Sequence, residues 1–317
     1  MKVVVPGGTG NVGGFLSRAL AAAGHDVVVL SRRAVDVGGG VRSVRWDGRT
    51  LGAWAGEIDG CDAVINLAGR SVSCRYTSEN LREMMSSRVD SARVVGSAIA
   101  TAAAPPRVWL QMSTATIYAH RNDAPNDEAT GIIGGSEPDV PGYWAFSVEI
   151  ARQWELAQQE ASAPETRKVA LRTAMVMSPD RGSVFDVLSW MARLGLGGPV
   201  GGGRQYVSWI HGHDFLRAVE FLLATEVVGA VNVAAPEPLP QREFMRVLRR
   251  AWGMPLGLPA TKWMAEVGAF AMRSDTELLL KSRRVVPGRL LEAGFTFDHA
   301  RWRDAAEDLV RARRASA

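Results

Sequence analysis

A run of seven residues near the start constrains this chain more than any other feature. Val3-Val4-Val5 leads, through Pro6, into Gly7-Gly8-Thr9-Gly10-Asn11-Val12-Gly13 and then an Ala- and Leu-rich stretch over 11–23. Glycines at 7, 10 and 13, directly after an apolar strand and opening a helix, have a physical purpose in that context. Gly7 permits the tight bend, Gly10 lets a pyrophosphate approach the backbone, and Gly13 lets helix and strand pack closely. The helix start then offers unpaired N–H groups and a partial positive charge to phosphate oxygens. Residues 2–30 are therefore expected to form a βαβ unit that holds a dinucleotide, with Thr9, Asn11 and Val12 beside the glycines.

The second strand ends at Leu30-Ser31-Arg32-Arg33. A site for NAD usually carries an acidic residue at this point to bind the ribose 2′-hydroxyl. A hydroxyl and two guanidinium groups suit a 2′-phosphate instead, through charge-assisted, bidentate bonds. NADP(H) is the expected cofactor. Asp47, after the third strand, is placed to bond the adenine amine, and Leu67, Ala68 and Gly69, after the fourth, to pass beside the ribose.

The rest of the chain agrees with an α/β protein, a Rossmann doubly wound parallel sheet with a small C-terminal α/β substrate lobe. Apolar strand-like runs at 2–5, 26–30, 41–46, 62–66, 107–113 and 168–176 alternate with helical stretches at 11–23, 49–56, 78–104 and 143–162. That alternation builds a parallel sheet covered on both faces. After Pro179 come a glycine-rich loop at 195–203, a strand at 204–211, a helix at 213–225 and short helices with Pro/Gly turns over 236–300. The expected division is 1–177 with 204–234 as the cofactor domain, and 178–203 with 235–317 as the lobe.

Composition excludes several classes. At 317 residues, 47% hydrophobic and 22% charged, the chain can bury a large core, yet no apolar run reaches the roughly 18–20 residues of a membrane span. The start is too short for a signal peptide, and Cys61 and Cys74 read as free thiols, so a cytoplasmic protein is expected. The net charge of +4 comes from arginines spread along the chain, clustered only between Arg301 and Arg314. They are not concentrated on one face with aromatics interleaved, so no nucleic-acid surface is expected. No metal site is expected from five scattered histidines and two separated cysteines. Lysine is scarce: Lys2, Lys168, Lys262 and Lys281.

The glycine turn, Val64-Ile65-Asn66-Leu67-Ala68-Gly69 and Ser86-Ser87-Arg88 resemble the extended and atypical short-chain dehydrogenase/reductases. Leu194-Gly195-Leu196-Gly197-Gly198-Pro199, Gly203-Arg204-Gln205-Tyr206, Trp209-Ile210-His211, Asn232-Val233-Ala234-Ala235-Pro236 and 287–295 are similar to the YfcH-like, sugar-nucleotide-epimerase-like branch. The resemblance covers nearly the whole chain. It implies an NADP-binding Rossmann domain with a substrate lobe, and a homodimer through the helices at 78–104 and 143–162.

In that superfamily a Ser/Thr polarises the substrate oxygen while a tyrosine, its pKa lowered by a lysine four residues on, passes a proton. By resemblance Thr114 takes the hydroxyl position in Met112-Ser113-Thr114-Ala115-Thr116-Ile117-Tyr118. The lysine is missing: four residues after Tyr76, Tyr118, Tyr143 and Tyr206 stand Asn80, Asn122, Ser147 and Ile210. Alignment on Trp154-Glu155 puts Ser147 and Ala151 where the pair belongs. Without a lysine a tyrosine near pKa 10 is a poor base at neutral pH. The candidate proton donors are Tyr143, as a neutral acid, and Tyr118 and His120, which follow the Thr114 strand end toward the nicotinamide side. Arg172, Arg204 and Trp144 are candidate substrate contacts, the arginines gripping a phosphate or carboxylate or else capping carbonyls.

Three functions fit a small-molecule substrate. The first is an NADP(H)-dependent oxidoreductase acting on a small or medium, partly apolar carbonyl or unsaturated compound. The second is an epimerase or dehydratase that recycles its cofactor internally. The third is a non-redox isomerase, cyclase or cofactor sensor on the same fold.

Overall fold

The structure, a computed structural model, describes residues 1–33, 35–72, 74–138, 140–260 and 277–316. Its strands in chain order are β1 (Lys2–Pro6), β2 (Asp26–Ser31), β3 (Arg42–Arg45), β4 (Ala63–Asn66), β5 (Val108–Thr114), β6 (Arg167–Thr173), β7 (Met175–Met177), β8 (Tyr206–Val207), β9 (Trp209–His211), β10 (Gly229–Val233) and β11 (Leu239–Pro240). Seven of them make one sheet in the order β10-β6-β5-β4-β1-β2-β3, every neighbouring pair parallel. The chain runs outward from β1 in one direction and resumes at β4 on the other side. The crevice of a doubly wound sheet opens at such a reversal, beyond the carboxyl ends of the strands. The Gly7 turn follows β1 and Leu67–Gly69 follows β4, so both meet there.

A parallel sheet buried on both faces needs strands that are apolar throughout. Val3, Val4 and Val5 are fully buried, and Val27 to Leu30 almost so. Alternate side chains serve opposite faces. On one, Val3 and Val5 meet Leu16 of α1 (Asn11–Ala22) and Phe215 and Leu222 of α5 (Gly212–Ala224). On the other, Val4 and Trp109 meet Val95 of α2 (Ser78–Thr101) and Trp154 of α3 (Trp144–Gln159).

A separate core joins β7 and β9 to α4 (Val184–Arg193), α6 (Gln241–Trp252) and the terminal helix Trp302–Ala315. Phe244 and Trp302 stack with centroids 4.0 Å apart, and Trp302 Nε1 donates to the Phe244 carbonyl at 2.9 Å. Burying each such ring is worth roughly 2–3 kcal/mol.

The structure corrects several expected elements. The 168–176 run is two strands, because at Ala174 the chain leaves the large sheet and β7 pairs with β9 instead. The 204–211 run breaks at Ser208, whose hydroxyl donates to the Arg283 carbonyl at 2.6 Å and accepts from Val285 N at 2.9 Å. The helix expected over 49–56 shrinks to a 3-10 turn, Ala53–Glu57, in a stretch interrupted by Gly48, Gly52 and Gly56. β10, α4 and the terminal helix had no counterpart in the sequence reading. The arginine-rich tail is one amphipathic face of that last helix, whose other face buries Trp302, Ala305, Ala306, Leu309 and Val310. The part of the 236–300 reading on 261–276 lies outside the described residues.

Among the described residues no helix is long and apolar enough to cross a membrane. Both cysteines are free, and burial pushes the Cys61 thiol up to about 12.

Candidate active site

The glycine turn is closed by contacts no side chain would tolerate. Gly7 has φ +78°, and a Cβ there would lie 2.7 Å from both Cα and N of Ala68. At Gly13 a Cβ would meet Gly8 Cα at 2.6 Å and Gly7 O at 2.7 Å. Gly10 differs. A Cβ there would meet only Gly7 O, at 3.6 Å, so the volume a side chain would fill is open space over the turn. The first turn of α1 carries no side-chain cap and no acidic residue. Its leading N–H groups lack intrahelical partners and are left for an anion in that space. Donors, room and absence of negative charge fit a pyrophosphate. Thr9 and Asn11 are exposed at its rim, and Asn11 Nδ2 donates to Gly182 O at 2.6 Å, strapping the turn to the loop after β7.

At the ribose end Arg32 and Arg33 are exposed past β2, as a 2′-phosphate would require. Ser31 is buried and its hydroxyl donates to the Arg33 carbonyl, so it shapes the arginine loop. The Asp47 carboxylate serves its own turn: it accepts from Arg49 N at 2.8 Å, Thr50 N at 2.9 Å and Thr50 Oγ1 at 2.6 Å. These bonds, the Thr50 hydroxyl foremost, hold it down to about 2. Leu67 and Gly69 line the cleft, and Ala68 lies against Gly7.

A cleft of about 600 Å³ runs from Asn11 and Val12 past Leu67 to the end of β5. Thr114 is there, and its Oγ1 accepts from Thr116 N at 3.2 Å. Ser147, in the first turn of α3, lines the same cleft and donates to Glu277 Oε2 at 2.5 Å. Lys281 Nζ lies 3.5 Å from Glu277 Oε1 and donates to the Thr116 carbonyl at 3.0 Å. Both side chains of that pair are 1% exposed. Burial lowers the Lys281 pKa, with the Glu277 carboxylate pulling it back up. Arg283, also in the wall, donates from Nε to Thr116 Oγ1 at 3.1 Å.

Of the catalytic candidates from sequence, Thr114 lines the cleft and the others do not. The 3-10 turn Ala115–Ile117 swings Tyr118 into the core, 2% exposed. Its hydroxyl donates to Asn232 Oδ1 at 2.9 Å and accepts from Arg172 NH1 at 3.0 Å, and burial raises its pKa. His120 accepts at Nδ1 from Ser282 N at 2.8 Å, pinning the 281–285 segment behind the cleft wall. Tyr143 precedes α3, one turn before Ser147, and is 42% exposed outside the cleft lining. Trp144 is buried with its ring 5.4 Å from that of His120.

Arg172 is engaged within the protein. It forks onto Glu155 with two 2.9 Å bonds, and Glu155 also accepts from Ser113 Oγ at 2.6 Å. The paired carboxylate holds the guanidinium pKa above its usual value despite burial. Arg204 is exposed in the glycine loop, away from the cleft lining. The residues that sequence reasoning missed are Thr116, Glu277, Lys281 and Arg283. The signals for them were faint: Ser147 at the tyrosine position, and one of the few lysines four residues after an acid.

The chain was compared with known proteins. A model of the NAD dependent epimerase/dehydratase family matches residues 3–234, and a domain of unknown function, DUF1731, matches 261–309. Epimerase family protein SDR39U1 of Bos taurus is 32% identical over 316 residues, covering 98% of this chain and 100% of its own. Epimerase family protein MT2273 of Mycobacterium tuberculosis is 31% identical over 94% of this chain and 93% of its own. The crystal structure of human epimerase family protein SDR39U1 (isoform 2) with NADPH superposes with a TM-score of 0.85 at 27% identity, over 98% of this chain and 99% of that one. The fold, the glycine cradle at the reversal of the sheet and these matches agree: the chain belongs to the NAD dependent epimerase/dehydratase family.

Proposed function

We propose that the chain holds NADP(H) on the glycine turn and runs an epimerase- or dehydratase-type cycle on a small molecule, with Ser147 and Glu277 handling the proton. The observation that carries this reading is the 2.5 Å bond from Ser147 Oγ to Glu277 Oε2 in the cleft wall. The bound nicotinamide supplies hydride acceptance and return. The Gly7–Gly13 cradle positions the pyrophosphate, and Arg32 and Arg33 select a 2′-phosphate. The human relative crystallised with NADPH supports that preference.

Thr114 accepts a hydrogen bond from Thr116 N, which leaves its own hydroxyl hydrogen for a substrate oxygen. A serine hydroxyl alone is a weak base. Ser147 becomes useful because its proton has somewhere to go. As it takes the proton of a substrate hydroxyl, its own passes to Glu277, and the reverse transfer returns it. Lys281 supplies the neighbouring positive charge that the missing Tyr/Lys pair would have supplied. The Asn11–Gly182 strap favours a cofactor that stays bound between turnovers, as internal recycling needs. The region around α4, α6 and the terminal helix serves as the substrate lobe.

Purification without added cofactor, followed by denaturation, should release NADP(H). Turnover of a panel of hydroxy and carbonyl compounds should yield isomerised or dehydrated product with no net change in NADPH absorbance. Stoichiometric NADPH consumption would replace this reading with a second one, net reduction of a partly apolar carbonyl. The apolar chamber beyond Thr114 favours that alternative.

A further inference from the structure

The cleft wall holds a guanidinium that the proposed cycle leaves unused. Arg88, on α2, is half-buried and lines the cleft together with Gly69, Ser147 and Trp154. Its NH1 donates to Met84 O at 3.0 Å and its NH2 to Arg70 O at 2.9 Å. Its Cζ lies 5.1 Å from the centroid of the Trp154 ring, on α3. Two carbonyls and an aromatic face hold the group in place, and none of them is charged. Desolvation lowers its pKa to about 10, opposed by Tyr76 and Cys74, a phenol and a thiol. Among the described residues no carboxylate pairs with it. A guanidinium has five N–H donors. The two carbonyls take two of them, so among the described residues three remain for a ligand.

Gly69 fixes where those donors emerge. A Cβ there would lie 3.3 Å from Arg88 Cγ and Cζ and 3.4 Å from Nε, so the loop after β4 runs directly against the guanidinium. That loop stands between the two ends of the cleft. Ala68, next to Gly69, closes on Gly7 of the glycine turn, whereas Thr114 and Ser147 mark the reacting end. In a dinucleotide the nicotinamide ribose links the pyrophosphate to the reacting ring, so it has to pass this stretch. Its vicinal hydroxyls are acceptors that suit a charged donor already held in position.

Lys281 cannot serve there, since it is almost fully buried behind Glu277 and outside the cleft lining. Ala151, aligned with the superfamily's lysine, is fully buried and has no side-chain donor. Arg88 reaches the same part of α3, at Trp154, from the neighbouring helix.

We propose that Arg88 is a cofactor-binding residue whose remaining N–H groups donate to the hydroxyls of the nicotinamide ribose and hold the nicotinamide toward Thr114 and Ser147. This inference rests on the cofactor site of the function proposed above, and not on its reaction type.

Full-length protein stripped of nucleotide is titrated by calorimetry with NADPH, with 2′-phospho-ADP-ribose, which lacks the nicotinamide, and with 2′-phospho-ADP, which ends at the pyrophosphate. Arg88→Met is expected to weaken the first two by about 10–100-fold, the worth of hydrogen bonds to a charged group, and to leave the third unchanged. Arg88→Lys, which keeps the charge on a similar stem, is expected to recover part of the loss. Equal loss for all three ligands, loss confined to NADPH, or no loss in whichever variant folds would overturn the inference. Should neither variant fold, a crystal structure of the wild-type NADPH complex decides. A ribose hydroxyl about 2.7–3.2 Å from an Arg88 nitrogen supports the inference, and a ribose beyond its reach overturns it. Absence of NADPH binding by the wild-type protein would remove the proposed function, and this inference with it.

Discussion

Ser147 and Glu277, 130 residues apart in sequence, share a 2.5 Å hydrogen bond in the wall of the cleft. One comes from the first turn of α3, where the superfamily resemblance places a tyrosine; the other from the four-residue helix Glu277–Leu280 of the carboxy-terminal region. The bond joins the sheet domain to the last part of the chain, and the proposed proton relay runs through it. Lys281, buried beside Glu277, gives that carboxylate a countercharge and donates to the Thr116 carbonyl.

The three glycines of the turn should separate under substitution. Gly10→Ala adds a methyl to open space, so Tm should hold while NADPH affinity drops at least tenfold, because the pyrophosphate loses its approach. Gly13→Ala collides with Gly8 and Gly7 and should lower Tm as well. Thermal melts with and without NADPH distinguish the two, and an undiminished NADPH shift in Gly10→Ala would place the pyrophosphate elsewhere.

Arg32 and Arg33 stand exposed beyond β2. Replacing both with alanine should weaken NADPH by about 10–100-fold, with NADH little changed, as expected for one lost charge-assisted contact. Parallel NADPH and NADH titrations measure it. Equal affinity for both cofactors in the wild-type protein would end the 2′-phosphate assignment.

Arg172 and Glu155 are 13% and 16% exposed, and their fork binds β6 to α3. Arg172→Met strands a buried carboxylate and should cost about 3–5 kcal/mol in urea unfolding. Adding Glu155→Met should recover much of that loss, since the pair, once gone, leaves the Ser113 hydroxyl without its acceptor and the Tyr118 hydroxyl without one donor, both neutral groups. If Arg172 instead contacts substrate, stability will hold and binding will fall.

His211 caps α5, its Nδ1 accepting from His213 N at 3.1 Å, which leaves the ring hydrogen on Nε2, 3.4 Å from Asp308. Burial, with His299 stacked on it at 3.8 Å, lowers its pKa to about 4, while Asp308 and Asp214 oppose the shift and His213 adds to it. The unfolded chain therefore takes up a proton near pH 6.5 that the folded chain refuses until about pH 4. Stability is full above that window and falls across it, by about 3 kcal/mol at most. His211→Asn keeps a capping acceptor and should lose less stability between pH 7 and 5. Parallel denaturation curves at both pH values check this, and identical losses would contradict it.

The glycine turn and the strand ends around the cleft were legible because their determinants are local: the glycines, Ser31-Arg32-Arg33 and Leu67-Ala68-Gly69 each lie at the end of a short apolar strand. The residues of the proposed proton relay were not. Tyr118 and His120 follow the Thr114 strand closely in sequence, but one 3-10 turn rotates the first into the core and leaves the second against Ser282. Arg172 sits on a strand facing the right direction, yet a carboxylate one helix away claims it. Glu277 and Arg283 line the cleft, with Lys281 behind Glu277, where Ser208, Tyr206 and His120 fix the 281–285 segment, a pairing set by tertiary structure rather than by spacing.

Glu277 is the group on which the proposed proton relay depends. Turnover of a panel of hydroxy and carbonyl compounds as a function of pH, measured on wild-type protein and on Glu277→Gln, tests it, with Tm and NADPH binding taken from the same samples. The amide still accepts from Ser147, so NADPH binding should persist, while the buried Lys281 loses a countercharge and Tm is expected to fall. Turnover is expected to fall by about 10²–10⁴-fold, and the pH profile of the variant is expected to differ from that of wild type. A Glu277→Gln protein with wild-type turnover and an unchanged pH profile would contradict the Ser147–Glu277 relay.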